Sequence, residues 1–141
     1  MEIKIKKLKP EAIYPSYAHP GDAGLDLFSA EEKLIKSGTR LAINTGLVLA
    51  VPDGFVGLVW DKSGLALKKG LTCLAGVLDS GYRGELLVVI LNTSNEDVKI
   101  EVGQKIAQLL IQPIQTVKIN PVDELEDTTR GTGGFGSTGL F

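Results

Sequence analysis

Glu85-Leu-Leu-Val-Val-Ile-Leu91 and Ile106-Ala-Gln-Leu-Leu-Ile111 are apolar on both faces of an extended chain. Both runs are rich in residues that favour a pleated surface, and a strand buried on two sides needs cover on two sides. The pattern leaves two answers open: packing between subunits, or a two-layer core with one crowded edge. Outward from these runs, period-two patterning dominates. Strands are expected over Glu2–Lys7, Glu32–Lys36, Arg40–Val51, Phe55–Trp60, Leu71–Leu78, Tyr82–Leu91, Val98–Val102, Lys105–Pro113 and Val117–Ile119. Ser37-Gly38, Pro52-Asp53-Gly54, Ser80-Gly81, Asn92 to Asp97 and Val102-Gly103 punctuate them with turn residues. Short strands at this spacing indicate an all-β sandwich or barrel. The one expected helix is brief, Gly64–Lys69, closed by Gly70. A second short turn is expected near Asp123–Asp127.

A chain of 141 residues fits one domain. With 43% hydrophobic and 23% charged residues it can bury a core. Fifteen Lys/Arg against seventeen Asp/Glu leave a net charge of -2, which excludes wrapping duplex nucleic acid or coating an anionic membrane. No apolar run approaches the roughly 20 residues of a membrane span, and the N-terminus lacks the apolar block of a signal peptide. One cysteine, Cys73, cannot form an intrachain disulfide, so the expected setting is reducing, intracellular and cytoplasmic. One histidine, His19, removes most zinc sites and most His-based triads. Any chemistry must rest on carboxylates, hydroxyls, Lys/Arg and backbone amides.

Four segments carry such groups. Residues 130–141 read Arg-Gly-Thr-Gly-Gly-Phe-Gly-Ser-Thr-Gly-Leu-Phe, with five glycines. They suit either a loose terminus or a phosphate wrap of backbone N–H groups with one cation and one aromatic. Gly131 and Gly136 have P-loop spacing, but Ser137 stands where the lysine belongs and no helix can follow. Ala75 to Glu85 reads as a tight hairpin with Ser80-Gly81 at its tip. Its Asp79 is either turn chemistry or a general base in a pocket walled by Tyr82. In Asp61-Lys62-Ser63-Gly64 an anion site competes with a plain Ser63 N-cap and a solvated Lys62. Asp26, between Leu25 and Leu27, suits a magnesium site or a strand edge; Asp22 and His19 fit a loop. Cys73, in Leu71-Thr-Cys-Leu74, is expected to be a buried, inert thiol.

The order of these segments is more specific than any one of them. Ala-Gly-Leu-Asp-Leu (23–27), Ser-Gly-Leu-Ala (63–66), Gly-Val-Leu-Asp-Ser-Gly-Tyr-Arg-Gly-Glu (76–85), Gly-Gln-Lys-Ile-Ala-Gln-Leu (103–109) and Arg-Gly-Thr-Gly-Gly-Phe-Gly-Ser-Thr-Gly (130–139) resemble the five motifs of the trimeric dUTP pyrophosphatases, the dUTPases. The resemblance implies an all-β jelly-roll (β-clip) subunit over residues 1–127 with a flexible Gly-rich arm over 128–141. It implies a homotrimer with active sites shared between subunits, each closed by an arm. Water would attack the α-phosphorus of dUTP, giving dUMP and pyrophosphate, lowering dUTP and supplying dUMP for thymidylate synthesis.

Residue by residue, the resemblance makes Asp79 the water-activating acid and Tyr82 the wall that excludes a 2′-hydroxyl. The backbone around Gly76, Val77 and Leu87 would read the uracil edge. Lys62, Ser63, Gly64 and Gln108 would meet the phosphates. Arg130, Gly136, Ser137 and Thr138 would clamp the outer phosphates, and Phe135 would stack over uracil. Mg2+ would ride mainly on the triphosphate, with Asp26 acting through water. The second motif departs from the family's Pro-Arg-Ser-Gly: Asp61-Lys62 keeps the charge, loses the bidentate fork and adds an acid. The related dCTP deaminases carry a catalytic glutamate ten residues after the hairpin aspartate; here that position is Val89. A non-catalytic nucleotide sensor would have no need of Asp79, and a structural jelly-roll subunit would leave the tail without a purpose.

Overall fold

The computed structural model describes residues 1–135 and Ser137. Gly136 and Thr138 lie outside the described residues. The elements in chain order are β1 Lys4–Lys7, β2 Leu25–Phe28, β3 Lys33–Ile35, β4 Arg40–Asn44, β5 Leu47–Ala50, β6 Phe55–Trp60, α1 Ser63–Lys69, β7 Leu71–Leu74, β8 Val77–Leu78, β9 Leu87–Asn92, β10 Val98–Ile100 and β11 Lys105–Pro113. They form small antiparallel sheets: β2-β11-β6-β8, β4-β9-β7, β1-β5 and β10-β3. The mostly-β architecture with one short helix matches the jelly-roll expectation.

The two apolar runs lie in different sheets, and each buries one face more deeply than the other. Leu86, Val88 and Ile90 are buried, whereas Leu87 is 41% exposed and Val89 and Leu91 are half-buried. In β11 the pairing with β2 shifts register between Lys105 and Ala107, which turns both Ile106 and Ala107 inward. Leu110 and Ile111 stay half-buried. The second face of each strand is therefore left incompletely covered by this chain.

Several expected strands are shorter or broken, each for a local reason. Arg40–Val51 splits at Thr45-Gly46. Gly46 takes a left-handed φ of 69°, and a Cβ there would meet Ala12 Cβ at 2.8 Å. Leu71–Leu78 splits at Ala75, whose φ of 53° an alanine adopts only under strain. Tyr82–Leu91 becomes a strand only from Leu87. Val117–Ile119 forms no strand: Val117 and Ile119 are 72% and 78% exposed, an alternating pattern with no surface of this chain to lie on. The late turn falls at Thr128–Gly131 rather than Asp123–Asp127, closed by Gly131 N–H donating to the Thr128 carbonyl at 3.0 Å.

Helix α1 ends as expected, with Gly70 left-handed (φ 63°) and its N–H donating to the Ala66 carbonyl. Its start differs. Lys62 occupies the N-cap position without a side-chain cap, and Ser63 is the first helical residue. Among the described residues no helix is long and apolar enough to cross a membrane.

Candidate active site

The expected hairpin at residues 75–85 is a turn joining two sheets. Its tip is as read: Tyr82 N–H donates to the Asp79 carbonyl at 3.1 Å, closing a turn over Ser80-Gly81. The arms then part. Val77–Leu78 pair with β6, while the chain after Glu85 joins β9 beside β4 and β7. The first arm is drawn tight against β6. Val59 N–H donates to the Gly76 carbonyl at 2.7 Å, and a Cβ on Gly76 would stand 2.5 Å from the Val59 carbonyl oxygen. Only glycine fits there, whatever else its backbone does.

The divergence opens a cavity of about 240 Å³. Gly76, Val77, Asp79, Tyr82, Glu85 and Leu87 line it, with Val59 and Val89 among the apolar residues behind. Five residues expected in the site therefore meet in one place. The Asp79 side chain is exposed at the rim, engaged by no hydrogen bond or ion pair among the described residues. Tyr82 folds back over Gly84, where any Cβ would collide with the phenol ring, and its hydroxyl donates to the Glu85 carbonyl at 3.1 Å. Arg83 donates to the Ser80 and Tyr82 carbonyls at 2.6 and 2.7 Å and so braces the turn.

The second cluster stands apart, and none of Lys62, Ser63, Gly64 or Gln108 lines that cavity. Lys62 Nζ lies 2.5 Å from Asp26 Oδ1, and Lys105 Nζ lies 2.7 Å from Asp26 Oδ2. Asp26 is 2% exposed. Burial alone would push its carboxyl up, but the Lys105 and Lys62 ammoniums outweigh it and hold it below the ordinary 3.8. Ser63 and Gly64 are exposed, and a Cβ on Gly64 would meet nothing within 4 Å. Gln108 lies across Gly24 and donates to the Asp61 carbonyl at 2.8 Å.

The Asp61 side chain turns away from Lys62 and accepts from the Thr72 hydroxyl at 2.9 Å and the Cys73 N–H at 2.5 Å. It adds no charge to the face that Lys62 presents. Cys73 is half-buried rather than buried as expected; burial first, and then the Asp61 carboxylate, push its thiol up to about 12, away from the reactive thiolate. His19 is exposed, and its N–H donates to Asp22 Oδ2 at 2.9 Å, which fixes Asp22 in a turn.

This geometry does not fit a metal held by the chain. Each Asp26 oxygen already faces an ammonium, and no group of three or more metal-ligating side chains occurs among the described residues. No step is therefore routed through a protein-held metal.

The tail stays with itself. Residues 112–132 are exposed throughout, Phe135 is fully exposed, and Arg130 Nε donates to the Gly133 carbonyl at 2.8 Å. Ser137 N–H donates to the Gly134 carbonyl at 2.8 Å. The structure thus brings together Gly76, Val77, Asp79, Tyr82 and Leu87, while the Lys62 cluster and the described residues of the arm do not line that cavity. Sequence reasoning passed over Gly84, Glu85 and Lys105 as separate actors. Gly84 and Glu85 carried a signal, since both stand inside the hairpin motif; Lys105 showed only as a charge at a strand start.

The family model described as dUTPase matches residues 10–139. The deoxyuridine 5′-triphosphate nucleotidohydrolase of Clostridium kluyveri is 52% identical over all of both chains. That of Clostridium acetobutylicum is 50% identical over 99% of this chain and 98% of its own. The Staphylococcus bacteriophage 80alpha dUTPase, solved with dUPNHPP, superposes with a TM-score of 0.91 at 33% identity, over 99% of each chain. A mutant dUTPase of S. aureus phage phi11, described as revealing the coordination of a structural Mg(II) ion, superposes with a TM-score of 0.84 at 29% identity, over 90% of this chain and all of that one. With the motif order, the fold and the divided hairpin all in agreement, this chain belongs to the dUTPase family.

Proposed function

We propose that this chain hydrolyses dUTP to dUMP and pyrophosphate, lowering dUTP and supplying dUMP for thymidylate synthesis. One observation carries the reading: Asp79, Tyr82 and the backbone of Gly76, Val77 and Leu87 share a single cavity. That cavity is narrow and apolar at the back, which suits a flat pyrimidine with a deoxyribose against the Tyr82 ring. The Asp79 carboxylate, free at the rim, accepts a proton from water. The oxygen of that water attacks the α-phosphorus, the bond to the bridging oxygen breaks, and pyrophosphate leaves with that bond's electrons.

Lys62, Ser63, Gly64 and Gln108 meet the phosphates, with Arg130, Gly136, Ser137 and Thr138 on the outer ones and Phe135 over the base. Because the Lys62 cluster does not line the Asp79 cavity of its own chain, the site is completed by another copy in a homotrimer. The half-covered faces of β9 and β11 support subunit packing. Residues 128–141 act as the closing arm of a domain spanning 1–127. Magnesium travels on the triphosphate, where it neutralises charge. Asp26 serves by holding Lys62 and Lys105 in place. Nucleic acid and membranes are not partners of this site, and the reducing cytoplasm is its setting.

The test is pyrophosphate release with magnesium from dUTP, UTP, dCTP and dTTP side by side. Release from dUTP alone is expected. Binding of dUTP without release from any of the four would replace the enzyme by a nucleotide sensor.

A further inference from the structure

The Tyr82 ring can discriminate between sugars only if it is held still, and the structure shows what holds it. Its hydroxyl donates to the main-chain carbonyl of Glu85 at 3.1 Å. Glu85 is in turn fastened to the turn between β4 and β5. Its Oε1 accepts from the Gly46 N–H at 2.8 Å and its Oε2 from Asn44 Nδ2 at 3.0 Å. The next residue reinforces the joint. Thr45, fully buried, donates its hydroxyl to the Leu86 carbonyl at 2.6 Å, and the Leu86 N–H donates to the Leu47 carbonyl at 2.8 Å. The receiving turn cannot drift, because Gly46 sits so close to Ala12 that a Cβ would meet its Cβ at 2.8 Å. A rigid part of the core thus reaches the cavity wall through the Glu85 carboxylate and the neighbouring Leu86 main chain.

We infer that Glu85 is a positioning residue for sugar selection: its carboxylate anchors the segment whose carbonyl holds the Tyr82 hydroxyl, and so fixes the ring that excludes a 2′-hydroxyl. Glu85 itself also lines the cavity. The inference rests on the proposed reading of Tyr82, and a loosened ring would admit ribose before it lost deoxyribose. The effect belongs in the ratio of kcat/KM for dUTP to that for UTP, a quantity that general loss of stability leaves alone.

The experiment measures that ratio in the full-length enzyme for Glu85→Ala, Glu85→Gln, Tyr82→Phe, Tyr82→Ala and the Glu85→Ala/Tyr82→Phe double variant. Glu85→Ala and Tyr82→Phe should each lower the ratio about three- to tenfold, the coupling expected of residues in one hydrogen-bonded network. The double variant should fall no further than the worse single one. Glu85→Gln should recover most of the parent ratio, since its amide oxygen still accepts from Gly46 N–H and the Asn44 amide can reverse to suit it. A Glu85→Ala enzyme that loses both activities equally, with the ratio at the parent value, overturns the inference. Should Glu85→Ala fail to fold, a parent-like ratio in Tyr82→Phe overturns it equally. A parent-like ratio in Tyr82→Ala is a different failure: it removes Tyr82 as the sugar filter and the inference with it.

Discussion

The Asp79 turn and the C-terminal arm carry comparable chemical promise in the sequence, and the fold treats them oppositely. Residues 76–87 are pinned on both sides, to β6 through Gly76 and to the β4–β5 turn through Glu85. These pinned residues wall the cavity. Among the described residues, those from Thr128 to Phe135 and Ser137 bond within short turns of their own, and Phe135 faces solvent. Under the proposed function, the difference separates two tasks. Reading a base and a sugar needs preorganised walls, whose ordering cost is met by the core. Closing over a triphosphate needs a segment that can leave and return, and glycine-rich chain supplies it.

The comparison can be broken most sharply at Asp79. Asp79→Asn should keep dUTP binding and lose about 10²–10⁴-fold in kcat, the range of a positioned general base. Calorimetric binding beside a pyrophosphate assay checks it, and turnover at the parent rate would remove Asp79 from the mechanism. Deleting residues 128–141 should leave the melting temperature and the oligomer unchanged. Turnover should drop about 10²–10³-fold, the range for removing a donor that stabilises transition-state charge. An unfolded or monomeric product in sedimentation would make the arm structural.

Asp26→Asn addresses the second cluster. It should cost about 2–3 kcal/mol, the low end for a broken buried pair, because the two lysines left behind reach water. Since the Asp26 carboxyl sits below its ordinary 3.8, its contribution is full from neutral pH to about pH 4 and fades as pH falls through the folded value. Melts at pH 7 and pH 3 should therefore differ less for the variant than for the parent. The smallest effect sharpens the preorganised side. Gly76→Ala, pressed on the Val59 carbonyl, should cost about 1–3 kcal/mol by urea unfolding and weaken dUTP binding in step.

Much of this was legible in the chain itself. The short antiparallel strands, the Gly70 helix stop and the meeting of Asp79 with Tyr82 all follow from local pattern and motif order. What could not be read depends on contacts distant in sequence. Asp61 looked like a charge beside a phosphate site, yet Thr72 and Cys73, brought alongside by the fold, turn it away. The pairing of Asp26 with Lys105 was likewise unreadable, because β11 brings Lys105 beside it from 79 residues away in sequence. Val117–Ile119 has the alternation of a strand, but alternation predicts a strand only where a sheet edge is there to receive it.

The central proposal is that the sites are shared between subunits, and its sharpest form has one chain's Asp79 cavity work with another chain's arm. It is tested most directly by mixing two inactive proteins, full-length Asp79→Asn and the chain ending at Asp127, unfolding them together and refolding. The account predicts that pyrophosphate release from dUTP reappears in the mixture, because truncated chains keep Asp79 while their Asp79→Asn neighbours supply arms. A mixture no more active than the sum of its parts would contradict it.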